Sequence, residues 1–226
     1  MSAVQRLWYA AYGSNTHPAR LALYLRGGVH PDGGREYPGC RDPRPPERSA
    51  PLWLPGSLYF ATTSPVWRGG RAFYDPDTPG PTAARAHLLR PGQFADLLAQ
   101  EMYREPGTEP APDLPALLSA GRLRVGPGRY ETLVLTGELD GLPVVTFTAP
   151  WRSDEVPAVA PAPAYLWRIG VGLREANGWD AERTAEALVG SPGVAGRWTR
   201  DTLTALIAGP PPDVPDVPDV PDIPGG

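Results

Sequence analysis

An α+β fold is what this sequence predicts, on three observations. Short apolar runs closed by turn residues fill the first two thirds of the chain and have the length and composition of strands. An amphipathic helical pattern interrupts them at residues 93–104. The last third then becomes helical before giving way to a proline-rich end.

Residues 7–12 (LWYAAY) read as a buried strand that enters a tight turn at Gly13-Ser14-Asn15. Pro18 opens a short helix, PARLALYL, because proline is tolerated in a first helical turn, and Gly27-Gly28 ends it. Residues 29–56 are rich in Pro, Gly and Arg, lack periodicity, and are expected to form a long loop of the kind that is often functional or mobile. Residues 57–62 (SLYFAT), 72–74 and 84–89 (ARAHLL) read as strands, and the helix at 93–104 stops before Pro106. Residues 130–136 and 143–148 flank Asp140-Gly141, which signals a hairpin. Residues 164–176 place Leu166, Ile169, Leu173 and Ala176 on one helical face, and Asp180 and Thr199 are suited to cap two further helices. The expected division is a domain over residues 1–208 and a disordered Pro-Asp-Val repeat tail over 209–226, since proline at every third position blocks helix and sheet.

Composition removes several function classes. The chain has 226 residues, 41% of them apolar, which suits one domain with its own core. Cys40 is the single cysteine, so no internal disulfide framework exists, and it reads as a loop thiol. His17, His30 and His87 match no zinc spacing, and no metal or other cofactor is expected. Every basic residue is arginine and the net charge is −4, without the basic excess of a nucleic-acid-binding surface. No apolar run approaches the roughly 20 residues that span a bilayer. The N-terminal apolar stretch is too short for a signal peptide, so a cytoplasmic protein with no membrane partner is expected. The oligomeric state stays open.

The sharpest chemical signal is a carboxylate on the apolar face of the 93–104 helix. With Phe94 as reference, Leu97 and Leu98 fall on the same side, and Glu101 comes back to within about 20° of it at roughly 100° per residue. A buried carboxylate needs a partner, and desolvation moves its pKa toward neutrality. Such a group carries protons in general acid–base catalysis, worth about 10²–10⁴ in rate. Glu105 lies one turn later against Pro106 and is the weaker candidate. An ordinary ion pair at a helix end gives the same pattern.

Tyr12-Gly13-Ser14-Asn15 lies between a strand and a helix. Glycine permits a tight turn, and successive amides beside a helix start form an anion cradle. An ordinary turn with Ser14 or Asn15 as a cap is the simpler alternative. Ser14 as the nucleophile of an amidase or deacylase is a third, although Thr16 breaks the Gly-x-Ser-x-Gly pattern and His17 is too near in sequence to serve as its base.

Taken in order, Tyr12-Gly13-Ser14-Asn15, Leu58-Tyr59-Phe60, Ser64, Trp67, Gly69-Gly70, the LLAQEMY helix with Glu101 and Tyr103, and Pro163-Ala164-Tyr165-Leu166 resemble the γ-glutamylcyclotransferase-like family over roughly residues 7–205. Leu97-Leu98 stand where that family often has Leu-Asp. The resemblance implies a compact mixed β-barrel surrounded by helices, with a cavity at one end. It implies a cofactor-independent cyclisation of a small-molecule γ-glutamyl amine or peptide to 5-oxoproline, with release of the amine. In that frame Glu101 is the acid–base residue, Gly13, Ser14 and Asn15 hold the glutamyl moiety, and Tyr12, Tyr103 and Tyr165 line the pocket. A catalytically silent binding module on the same fold, using the 29–56 segment or the tail, is the other expectation.

Overall fold

The computed structural model describes residues 4–29 and 36–213. Strand β1 (Leu7–Ala11) runs through a 3-10 turn at Ser14–Thr16 into helix α1 (Pro18–Arg26). Strands β2 (Gly28–Val29), β3 (Glu36–Tyr37), β4 (Ser49–Pro55), β5 (Ser57–Thr63), β6 (Gly70–Asp75) and β7 (Pro81–Leu89) come next. Helices α2 (Pro91–Glu101) and α3 (Leu114–Ala120) precede β8 (Arg122–Arg124) and the hairpin of β9 (Thr132–Leu139) and β10 (Leu142–Thr148). Helices α4 (Pro163–Asn177), α5 (Ala181–Val189) and α6 (Arg200–Ala208) close the described chain.

The fold is α+β, with a six-stranded mixed sheet in the order β4-β7-β1-β10-β9-β8. β1 lies antiparallel to β7 and parallel to β10. The expected barrel does not close: β4 and β8 are free edges, and β5 pairs with β6 in a separate ribbon. The Thr148 hydroxyl ties that ribbon to β10 instead, accepting from Tyr74 N at 3.1 Å and donating to Tyr74 O at 2.6 Å. A side chain thus stands where a ladder bond would have continued the sheet.

The end of the expected 29–56 loop is a strand instead, because β4 pairs with β7 along its whole length, from Ser49 opposite His87 to Pro55 opposite Pro81. Pro51 and Pro55 hide this strand from a periodicity reading, and both are tolerated because β4 is an edge. His30 and residues 214–226 of the expected tail lie outside the described residues.

β1 is buried along its whole length, so its alternation feeds two cores. Trp8, Ala10 and Tyr12 pack with Leu166, Ile169 and Leu173 of α4 and with Leu188, Leu203 and Ile207 of α5 and α6. Leu7, Tyr9 and Ala11 pack with Leu21 and Leu25 of α1 and with Phe94 and Leu97 of α2. Each of the leucine, isoleucine and phenylalanine side chains contributes about 1.5–3 kcal/mol by leaving water. The last three helices dock on one face of the sheet and the first two on the other, so the turn after β1 emerges between them. The expected caps form: Asp180 accepts from Arg183 N at 2.7 Å, and Thr199 accepts from Thr202 N at 3.2 Å.

Candidate active site

The turn after β1 is held from three sides. Thr16 Oγ1 donates to Gly13 O at 2.9 Å and approaches Ile169 O of α4 at 3.3 Å. His87 of β7 reaches Asn15 O through Nε2 at 3.1 Å, while its Nδ1 lies 2.9 Å from Ser49 Oγ. A carbonyl only accepts, so Nε2 carries the proton and the Ser49 hydroxyl donates to Nδ1. Burial, with Arg85 adding to it, pushes His87 down to about 3, so the ring is neutral and the arrangement is static. On the α4 side Gly172 is required: a Cβ there would come within 2.4 Å of Thr16 C and 2.5 Å of His17 N.

Gly13 has a different reason from the one its sequence context suggests. Its φ of −98° and ψ of −152° are extended and open to any residue. A Cβ there would stand 3.2 Å from the Tyr165 hydroxyl, a tight contact that the hydroxyl would have to relieve by a few tenths of an ångström. The 3-10 bonds from Thr16 N to Gly13 O and from His17 N to Ser14 O occupy the carbonyls of the turn. The amides at its start have no partner within the turn itself.

Helix α2 ends at Glu101, three residues earlier than its pattern suggests. Phe94, Leu97 and Leu98 are buried, whereas Glu101 is half-buried at the end of their stripe. Its Oε1 accepts from Asn15 Nδ2 at 3.2 Å, and the same nitrogen lies 3.3 Å from the Tyr9 hydroxyl. The Tyr24 hydroxyl also hydrogen-bonds the Glu101 carboxyl. Arg129 donates to Glu101 O at 3.2 Å and stacks 4.7 Å over the ring of Tyr103. Tyr103 takes a φ of +58°, a left-handed conformation costly for a bulky residue, and is 40% exposed.

All seven residues singled out in the sequence (Tyr12, Gly13, Ser14, Asn15, Glu101, Tyr103 and Tyr165) line one cavity of about 70 Å³. Glu105 does not line it. Tyr12 donates to Phe147 O at 2.7 Å, and the Tyr165 hydroxyl accepts from Ala72 N at 3.2 Å. Burial pushes Tyr165 up to about 12 and raises Tyr12 as well. Burial and then the Glu101 charge raise Tyr9. These three phenols are therefore neutral donors and acceptors, and among the described residues Glu101 is the one carboxyl in the lining.

The sequence reading missed Arg20, Tyr24, Arg71, Arg129 and Tyr130, which also stand in the wall, beside Tyr9, Gln100 and Phe147 among others. Arg20 carried the same signal as Glu101, a charge among Leu21, Tyr24 and Leu25 on the buried face of its helix. Arg71, Arg129 and Tyr130 come from other parts of the chain and have no local pattern. Cys40 lies outside the cavity. It is buried rather than in an open loop, its Sγ is 3.3 Å from Tyr24 O, and burial pushes its thiol up to about 12. Among the described residues no three His, Cys, Asp or Glu side chains gather as a metal site, and no helix is long and apolar enough to cross a membrane.

No known family model matches the chain. It is 30% identical over 199 residues to histone deacetylase 5 of Arabidopsis thaliana; the match takes in 81% of this chain but spans only 30% of that protein's length. Among solved structures, an uncharacterized protein from Homo sapiens aligns with a TM-score of 0.47 and 16% identity, over 89% of this chain and 98% of that one. A gamma-glutamyl cyclotransferase aligns with a TM-score of 0.44 and 16% identity, over 91% of this chain and 100% of that one.

Proposed function

We propose that the chain is a γ-glutamylcyclotransferase-like enzyme that converts a γ-glutamyl amine or peptide to 5-oxoproline and a free amine. The observation that carries this reading is the 3.2 Å contact from Asn15 Nδ2 to Glu101 Oε1, which sets a carboxylate against the amide-bearing turn inside one small cavity.

The chemistry asks little of the protein. The substrate's α-amine attacks its own γ-carbonyl, a C–N bond forms in the five-membered ring, and the C–N bond to the leaving amine breaks. One proton leaves the attacking nitrogen and one reaches the departing nitrogen. Glu101 takes the first and supplies the second, so it ends as it began. The amides of Gly13, Ser14 and Asn15 stabilise the oxyanion that develops on the carbonyl oxygen. Holding the glutamyl chain folded supplies the proximity of the two reacting atoms. Neutral Tyr12 and Tyr165, together with Tyr103, shape the walls.

Use of Ser14 as a nucleophile finds less support. Among the described residues no histidine lines the cavity, and both ring nitrogens of His87 are engaged by Ser49 and Asn15.

The test is Glu101→Gln, assayed by mass spectrometry for 5-oxoproline across a panel of γ-glutamyl compounds. The wild type releases it, and the variant is expected to be slower by about 10²–10⁴ with an unchanged thermal midpoint. Equal turnover by the two proteins would remove the acid–base role. No turnover of any γ-glutamyl compound by the wild type would leave a binding module.

A further inference from the structure

We propose that Arg20 is the receptor for the free α-carboxylate of the substrate, so that the cavity selects γ-linked amino-acid zwitterions and rejects analogues whose α-carboxyl is blocked. This inference rests on the cyclotransferase reading and names the substrate class for it.

Arg20 lies on the cavity wall yet is only 4% exposed. Among the described residues no carboxylate stands at ion-pair distance from it. Its guanidinium bonds the Tyr37 hydroxyl and lies over the rings of Tyr37, Tyr24 and Trp67 at 4.6, 5.0 and 5.7 Å. Its Nε is buried without a partner. A cation taken out of water to this extent is costly unless an anion meets it, and ring faces compensate only in part. The wall as a whole has a positive excess, with Arg20, Arg71 and Arg129 against Glu101.

The other two guanidinium groups are less enclosed, since Arg71 and Arg129 are half-buried. Arg71 Nη1 donates to Thr63 O at 2.7 Å and to Thr62 Oγ1 at 3.1 Å, and Arg129 donates to the main chain of Glu101. Arg20 is the one of the three that is buried, and its planar fork fits a carboxylate in a bidentate manner. Scale makes the assignment specific. In γ-glutamyl compounds the α-amine and α-carboxylate share one carbon. If Glu101 takes a proton from that amine, the carboxylate comes to rest within a few ångströms of it. Arg20 and Glu101 face the same cavity of about 70 Å³, which is small enough for one α-amino-acid head to meet both charges.

The experiment compares two substrates with the same leaving group, γ-L-glutamyl anilide and its α-carboxamide, on wild type and on Arg20→Gln, with aniline release as readout. The wild type is expected to favour the free acid by on the order of 10²-fold in kcat/KM, as expected when a charge-assisted hydrogen-bonded pair is lost, with most of the loss in KM. Arg20→Gln is expected to bring that ratio to within a few-fold of unity, a collapse that a purely structural role would not produce. Equal use of both substrates by the wild type overturns the inference and leaves the cyclotransferase reading standing. Release from neither overturns the reading itself. The wild-type comparison needs no variant to fold. If Arg20→Gln does fail to fold, protection of the wild type against thermal unfolding by L-glutamate but not by L-isoglutamine supports the assignment, and equal protection by the two refutes it.

Discussion

Asn15 Nδ2 and Glu101 Oε1 stand 3.2 Å apart although 86 positions separate the two residues in sequence. The amide is the link between the turn after β1 and the C-terminal end of α2, and it is itself buried. Asn15→Ala removes the link and is expected to lower kcat/KM by about 10- to 10²-fold, the equivalent of one hydrogen bond to a charged group. Asn15→Asp faces Glu101 with a like charge and is expected to be the worse of the two in both rate and thermal midpoint. Steady-state kinetics and a thermal melt on the same preparations check the ranking.

The neutral ring of His87 gives the fold a pH dependence with a definite sign. Its folded pKa of about 3 lies below the ordinary histidine value of 6.5. Above 6.5 neither state binds the proton. Below 6.5 the unfolded chain takes it up and the folded chain does not, so stability falls with pH by about 1.4 kcal/mol per unit. His17, lowered by burial and Arg168, adds in the same direction. The carboxylates of Asp42 and Asp75, held down to about 2, act only at lower pH, as their groups protonate below the usual carboxylate range. Denaturant melts between pH 7 and 4.5 are expected to show the decline. His87→Gln, which retains a donor for Asn15 O and an acceptor for Ser49, is expected to show a shallower one. Parallel slopes would assign the decline elsewhere.

Gly172 is where α4 presses on the turn, and the atoms a methyl group would meet are main chain. Gly172→Ala is expected to cost at least about 1–3 kcal/mol, the usual range for overpacking, and to lower activity by displacing Thr16 and His17. Gly190 follows α5 in open space at a φ of −79°, so Gly190→Ala is expected to be within about 0.5 kcal/mol of wild type. Chemical denaturation of the pair, with kinetics on each, separates a packing fault at the turn from a general intolerance of alanine.

Much of the layout was legible in residues whose local context decides their structure. The Phe94, Leu97, Leu98 stripe located α2 and its carboxylate; Asp140-Gly141 located the β9–β10 hairpin; Asp180 and Thr199 located two helix starts. Gln93–Glu101 did not extend to Arg104, because Met102 leaves helical geometry and Tyr103 takes a left-handed conformation, and neither residue type announces that. β4 was missed because its prolines mask strand character, and its edge position is a property of the sheet rather than of the segment. α3 and β8 are too short to develop a period. In the site, the groups set by β1 and α2 were readable, and Arg20 was readable by the same logic. Arg71, Arg129 and Tyr130 were not, because they reach the cavity only through tertiary packing. The role of Gly13 was misread for the same reason: its backbone is extended, and the crowding at its Cα comes from Tyr165, which only the fold brings near.

The central position of β1 has a consequence for when this protein can work. The strand precedes both of its neighbours by a long stretch of chain: they are residues 85–89 on one side and Val144-Val145 on the other, and Tyr12 is fastened to the Phe147 carbonyl, 135 positions away. Such pairings are non-local, and a topology dominated by them folds slowly because long loops must close before any contact compensates for the lost entropy. A nascent chain that has emerged only through α2 already contains both Asn15 and Glu101 but lacks the strand that fastens Tyr12 and flanks β1. The turn that carries Asn15 therefore gains its full support only when residues 142–148 have docked beside β1.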